Sequence, residues 1–154
     1  MDALTILKRC RAADEDIRRL EQRIQQRRDA MTSINAPQAD PDSGSRGPRD
    51  PDKIGKILGD IDILERRLTA RKQARNVELA AACVLLDGLQ AMESSVLHAY
   101  YVRQEDTAVI ARRMKYRDSY IRKIKARGER HLSAMAPEQV AATLPPWYLK
   151  EQGE

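Results

Sequence analysis

The sequence contains no phenylalanine, and its first aromatic residue is Tyr100. The residues before Tyr100 must therefore pack on aliphatic side chains alone, which suits slender paired helices better than a thick core. No stretch approaches the roughly 18 uncharged apolar residues that a membrane-spanning helix needs, so no membrane partner is expected. The first residues also lack the apolar run of a signal peptide, and the sequence accordingly predicts a cytoplasmic protein.

Residues that commonly support catalysis or metal binding are also scarce. Cys10 and Cys83 lie far apart without metal-ligand spacing, and both are expected to be reduced thiols. His98 and His131 have no cysteine or carboxylate at ligand spacing, which argues against a metal site. The sequence holds no glycine-rich phosphate loop. We therefore expect no enzyme, with no catalytic residue, no metal ligand and no cofactor.

Two segments of the chain show apolar residues at helical spacing. Residues 1–31 are predicted as a first helix and residues 53–90 as a second. The apolar positions are Ile17, Leu20, Ile24 and Met31 in the first and Ile57, Ile61, Leu64 and Leu68 in the second. Residues 32–52, rich in proline, glycine and serine, are predicted as a flexible loop. An antiparallel hairpin within one chain is favoured, but a coiled coil between two chains, and thus a homodimer, satisfies the same pattern.

The excess positive charge of the chain lies in one short segment. The formal net charge of the whole chain is +5, and residues 106–131 alone hold nine basic and three acidic residues. Phosphate contacts and counterion release make a polyanion the natural partner of such a segment. The alternative is a basic helix face that is merely solvated.

Residues 91–133 follow the pattern of a helix-turn-helix domain. After a helix that ends near Arg103, a frame of about twenty residues starts at Thr107. Ala111 provides the small side chain where two helices cross closely. The positions expected to be buried are Ile110, Met114, Tyr116, Ile121 and Ile124. Lys115 takes the turn position where glycine is usual, at a cost on the order of 1 kcal/mol of backbone strain.

In this frame the second helix of the motif would enter the major groove of double-stranded DNA with its N-terminal residues on base edges. The predicted DNA-binding residues are Arg112, Arg113, Lys115, Arg117, Asp118, Ser119, Tyr120, Arg122, Lys123, Lys125 and Arg127. Arg117 and Arg122 have the donors to pair with guanine. The remaining basic side chains suit phosphates, which position the protein without specifying sequence.

The stretch SSVLHAYYVRQEDTAVIARRMKYRDSYIRKIKARGERHL, residues 94–132, resembles region 4 of sigma-70-type factors. In layout, residues 1–132 are similar to phage-encoded regulators of the ArpU/RinA type, with NAPQADPDSGSRGPRDPDKI as the loop and IGKILGDIDILERRL as the hairpin return. The resemblance implies an all-α fold, an N-terminal antiparallel helical (coiled-coil) hairpin followed by a C-terminal sigma-region-4-like helix-turn-helix. It implies a sequence-specific transcription regulator that activates phage or prophage genes at promoters, with RNA polymerase as a further partner. Lys115 and the tail depart from this pattern.

The tail, residues 134–154, is expected to hold one short helix from Pro137 and an extended stretch over residues 145–148. Trp147 is expected to cover apolar surface of the domain itself, with partner binding as the alternative. A complete sigma factor is disfavoured, because residues 1–99 offer no aromatic side chain to capture unpaired bases. Two other classes stay open: a recognition subunit for phage DNA packaging, like a small terminase, and a helical protein-interaction module without DNA binding.

Overall fold

The computed structural model describes residues 1–35 and 51–153, and within these ranges all regular structure is helical. The α-helices of this part of the chain are α1 (Ala3–Asn35), α2 (Pro51–Asp87), α3 (Ala91–Leu97), α4 (Thr107–Met114), α5 (Asp118–Ser133), α6 (Pro137–Thr143) and α7 (Pro146–Glu151). A π-helical turn, His98–Val102, follows α3 directly. The prediction of an all-α protein is confirmed for these residues. None of the helices described here is both long and apolar enough to cross a membrane.

The helix ends differ in detail from the predicted ones. Helix α1 continues to Asn35, beyond the predicted end at residue 31, and α2 begins at Pro51. Proline suits the first turn of a helix because its missing N–H has no partner there in any case. Residues 36–50, most of the predicted loop, lie outside the described residues.

The described residues form two compact units, Glu15–Lys72 and Met1–Asp14 with Gln73–Glu154. In the first, the buried side chains are aliphatic: Ile17, Ile24, Ile57, Ile61 and Leu64. Ion pairs flank them, for example Asp16 with Arg71 at 3.5 Å and Arg28 with Glu65 at 2.8 Å. The ion-pair partner of Asp16 is Arg71, and that of Arg28, further along α1, is Glu65, earlier on α2. These two helical segments therefore run antiparallel. Because such exposed pairs contribute little, the aliphatic seam supplies most of the stabilisation.

The second unit has a core to which six of the α-helices contribute. Its buried residues include Ile6, Leu7 and Cys10 of α1, Ala82, Leu85 and Leu86 of α2, Leu97 of α3, Leu132 of α5, Val140 of α6 and Tyr148 of α7, with Tyr101 of the π-helical turn. The Tyr148 hydroxyl donates a hydrogen bond to Glu78 Oε2 at 2.8 Å. The C-terminal tail is therefore part of this core.

The expected extended conformation of residues 145–148 is wrong. Helix α7 begins at Pro146, with Pro145 in an extended conformation at its N-cap. Two prolines in sequence suggested an extended segment, yet a proline at the first helical position is well tolerated. The helical turn brings Tyr148 into the core, whereas Trp147, expected to cover apolar surface, remains 45% exposed.

A second, smaller apolar cluster joins α3, α4 and α5. Its buried members are Val96 and Ala99 from α3 and the π-helical turn, Ile110 and Ala111 from α4, and Ile121 and Ile124 from α5. Met92, Tyr100 and Met114 pack against it with partial exposure. This cluster fixes α4 and α5 against each other and so positions the basic side chains of both helices.

Candidate nucleic-acid interface

The turn between α4 and α5 depends on the backbone conformation of Lys115. This residue ends α4 with φ 61° and ψ 40°, in the left-handed region that the turn position requires. The Tyr116 N–H then donates to the Ala111 carbonyl at 2.9 Å, satisfying one of the last free carbonyls of α4. Ala111 itself is 4% exposed, so its small side chain permits the close approach of the two helices.

Four of the five positions expected to face inward are buried or partly buried: Ile110, Ile121 and Ile124 lie in the cluster, and Met114 packs against it. The prediction for Tyr116 is wrong, since this residue is 49% exposed. The left-handed Lys115 redirects the chain, so Tyr116 no longer continues the inward side of α4. Its ring packs instead on Tyr120, with centroids 5.0 Å apart.

The predicted DNA-binding residues all lie on α4, α5 or the turn between them. Most are exposed, namely Arg112, Arg113, Lys115, Arg117, Ser119, Tyr120, Arg122, Lys123 and Arg127, whereas Asp118 and Lys125 are half-buried. On α5, Ser119, Lys123 and Ala126 are exposed at helical spacing, on the side away from Ile121 and Ile124. The structure therefore brings a continuous outward side of α5 together with cations from α4 and the turn.

Ion pairs divide the basic residues of this surface into two groups. Four are paired: Arg113 with Glu105 at 3.0 Å, Arg122 with Asp118 at 2.8 Å, Lys125 with Glu129 at 2.7 Å and Arg127 with Glu93 at 2.7 Å. Within residues 1–35 and 51–153, the other four, Arg112, Lys115, Arg117 and Lys123, have no acidic partner. We call these four residues the unpaired cations. Their charge is available to an external anion without first breaking an ion pair.

Glu93, which no sequence pattern singles out, is the only buried charged residue within the described ranges. Its Oε1 accepts a hydrogen bond from Arg127 Nε at 2.7 Å, and its Oε2 lies 2.8 Å from His131 Nδ1. Burial raises the pKa of Glu93, but the hydrogen bonds from His131 and Arg127 outweigh burial and leave it below its ordinary value. Arg127, which is predicted to contact DNA, and His131 thus hold α5 against α3.

Gly128 lies at the same contact between α5 and α3. A Cβ atom at this position would come within 2.8 Å of Leu97 Cδ1 and 3.4 Å of Glu93 Cβ. Only glycine lets the two helices approach so closely without a shift of Leu97. Gly128 therefore favours the close packing of α5 on α3, across which Arg127 and His131 reach Glu93.

Lys125 also has a packing role. Its Nζ lies 4.4 Å from the centre of the Tyr100 ring, and Arg11 Cζ lies 3.9 Å from the same centre. The Arg11 Nη1 atom donates to the Tyr100 carbonyl at 2.8 Å. Next to this arrangement, the buried Tyr101 donates its hydroxyl to Glu129 at 2.6 Å. Lys125 was predicted as a phosphate contact, and its engagement with Tyr100 and Glu129 makes it less available than Lys123.

The described residues contain no group of three or more histidine, cysteine or acidic side chains that could hold a metal ion. The chain matches no protein-family model, and comparisons with curated proteins and with solved structures find no significant similarity.

Proposed function

We propose that this protein is a sequence-specific DNA-binding transcription regulator, with α4, the turn and α5 as a sigma-region-4-like helix-turn-helix. The observation that carries the proposal is the outward side of α5. It combines the small or polar residues Ser119 and Ala126 with Lys123, beside the unpaired cations of α4 and the turn, on a helix packed through its opposite side. Helices that enter the major groove need this division between a packed and a free side.

Different residues of this surface suit contacts with the phosphates and with the base edges of DNA. The unpaired cations suit phosphates on both sides of the groove. Arg122 is held by Asp118 on α5, and a guanidinium oriented in this way can donate two hydrogen bonds to guanine. Ser119 and Ala126 are small, so the helix backbone can approach the base edges closely. The proposal extends to a phage or prophage gene activator, with the antiparallel segments of α1 and α2 as the helical hairpin that contacts RNA polymerase or a second copy.

The proposal is tested by selecting duplexes from a random DNA library and measuring affinity by fluorescence anisotropy at several salt concentrations. Removing one unpaired cation, as in Lys123→Ala, should lower affinity for all sequences and reduce the salt slope by about 1. Arg67→Ala, which removes an exposed cation from α2, is the matched control and should leave the slope unchanged.

A second variant tests whether α5 docks through its outward side. Ala126→Glu places a negative charge among the groups that would face DNA, and affinity should fall at least tenfold. Ala126→Gln introduces a side chain of similar size without charge and should bind more tightly than Ala126→Glu. Both substitutions lie at an exposed helical position, where helix propensity costs at most about 0.7 kcal/mol. Absence of duplex binding by the wild-type chain at low salt would overturn the proposal and favour a protein-interaction module.

A further inference from the structure

Two exposed tyrosines lie in the middle of the basic surface. Tyr116 is 49% exposed and Tyr120 is 41% exposed. Their ring centroids are 5.0 Å apart, with the ring planes inclined by 39°. Neither hydroxyl has a hydrogen-bond partner within the part of the chain that the structure describes. We call these two residues the tyrosine pair.

The surroundings of the tyrosine pair are cationic. Tyr116 lies between Lys115 and Arg117 in the turn, and Lys123 follows Tyr120 by three residues, so it lies on the same side of α5. All three are unpaired cations. A neutral aromatic contact surrounded by such cations is complementary to a ligand that presents an apolar group between negative charges.

Duplex DNA offers one such apolar group on its base edges. In the major groove, thymine presents its C5-methyl group, flanked by hydrogen-bonding atoms and by the phosphates of both strands. Tyr120 is the third residue of α5, at the end of the helix that would reach base edges first. A methyl group is small enough to contact the exposed part of either ring without separating the two.

Stacking of unpaired bases is a less suitable use of these rings. Proteins that bind single strands offer open aromatic faces on which bases stack in succession. In the tyrosine pair, each ring already packs against the other, which leaves only part of its surface for a ligand. The arrangement therefore favours a small apolar contact over a base-sized one.

We propose that Tyr116 and Tyr120 together form an apolar contact for the 5-methyl group of thymine in the major groove. This inference rests on the proposed function and adds that the bound DNA site contains a thymine opposite the first turn of α5. The phenol rings supply the contact, and the neighbouring cations hold the phosphates on either side.

The test uses the full chain and a selected duplex in which each thymine is replaced in turn by deoxyuridine, which removes only the methyl group. At one or two positions, affinity should fall about fourfold, the effect of leaving one methyl group without its apolar contact. Tyr120→Ala should bind the thymine and deoxyuridine duplexes equally. Tyr120→Phe, which keeps the ring, should still discriminate, as should Val109→Ala, which shortens an exposed apolar residue of α4.

The outcomes separate this inference from the function on which it rests. If the selected duplex binds with the expected salt dependence but no deoxyuridine replacement weakens binding, the thymine contact is refuted and the proposed function stands. Tighter binding to the single strand than to the duplex would also refute the contact. If no duplex binds, both fail. Should Tyr120→Ala not fold, as judged by circular dichroism, Tyr116→Ala and the wild-type deoxyuridine series decide the question.

Discussion

The buried carboxylate of Glu93 provides a direct test of how α5 is held. The substitution Glu93→Gln keeps the shape of the side chain but removes its charge, so an amide replaces one of the two oxygens that face Arg127 and His131. Hydrogen bonds to charged groups contribute about 1.5–3 kcal/mol each. Arg127 and His131 have side chains that are 45% and 55% exposed, and solvent therefore screens their interactions with Glu93.

The expected loss at pH 7 is about 1–2 kcal/mol in the free energy of unfolding. The loss should depend on pH, because the pKa of Glu93 lies below its ordinary value in the folded protein. A carboxyl group with a lowered folded pKa contributes stability above its unfolded pKa, and this contribution is lost as the pH falls through the folded pKa. The difference between wild type and Glu93→Gln should hence be complete at pH 7 and shrink below about pH 4.3.

The measurement is urea unfolding of both proteins at pH 7 and pH 3, at constant ionic strength, followed by far-ultraviolet circular dichroism. Glu138→Gln is the matched control, because Glu138 is exposed in the first turn of α6. It should change stability by less than about 0.5 kcal/mol. Equal stability of wild type and Glu93→Gln at pH 7 would refute the reasoning, and so would a difference of the same size at pH 3.

Three further predictions follow from individual contacts. Lys115→Gly should raise the melting temperature, because glycine adopts the left-handed turn without the strain of about 1 kcal/mol that lysine bears; Lys123→Gly, inside α5, should lower it. Tyr148→Phe should cost about 1 kcal/mol by removing the hydrogen bond to Glu78, whereas Trp147→Phe should have a smaller effect on urea unfolding because Trp147 lies outside the buried core and phenylalanine keeps an aromatic ring there. Cys83 should react with a thiol reagent at pH 8 before Cys10: burial raises the pKa of both thiols, but Cys10 is fully buried and its pKa is raised to about 11 by burial and the nearby Asp14, whereas Cys83 is partly exposed; peptide mapping showing the reverse order would contradict this.

Much of the helical architecture is predictable because it depends on local spacing. Residues such as Ile57, Ile61 and Leu64 recur at three- and four-residue steps, and the structure buries them. Ile110, Ile121 and Ile124 were likewise predicted to face inward from their positions in the α4–α5 frame, and they do. Periodicity suffices here because each helix must bury one side whatever its partner is.

The features that escaped prediction depend on contacts distant in sequence. Local sequence alone predicts Glu93 to be an exposed acidic residue of α3. Its burial is favourable only because Arg127 and His131, more than thirty residues later, provide its partners. Tyr148 likewise depends on Glu78, seventy residues earlier. The motif alone predicts that Tyr116 faces inward, and the left-handed conformation of Lys115 turns it outward instead. Pair contacts of this kind leave no signal in the local composition.

In the sequence the basic residues of α4 and α5 form one charge cluster. Their contacts in the structure divide them into residues that stabilise the fold and residues that are available to bind an anion. Arg127 and Lys125 hold α5 to α3 and to Tyr100, so their loss should act mainly on folding. Among the residues that the structure describes, Lys115 and Lys123 have no such contact, and their loss should act mainly on the binding of an anion. If net charge alone governed DNA affinity, removing any one of these four would reduce the salt slope equally. If the ion pairs of the folded state decide which charges reach the phosphates, only removal of an unpaired cation will reduce the salt slope. Removal of Arg127 or Lys125 will then lower the stability more than removal of Lys115 or Lys123 does.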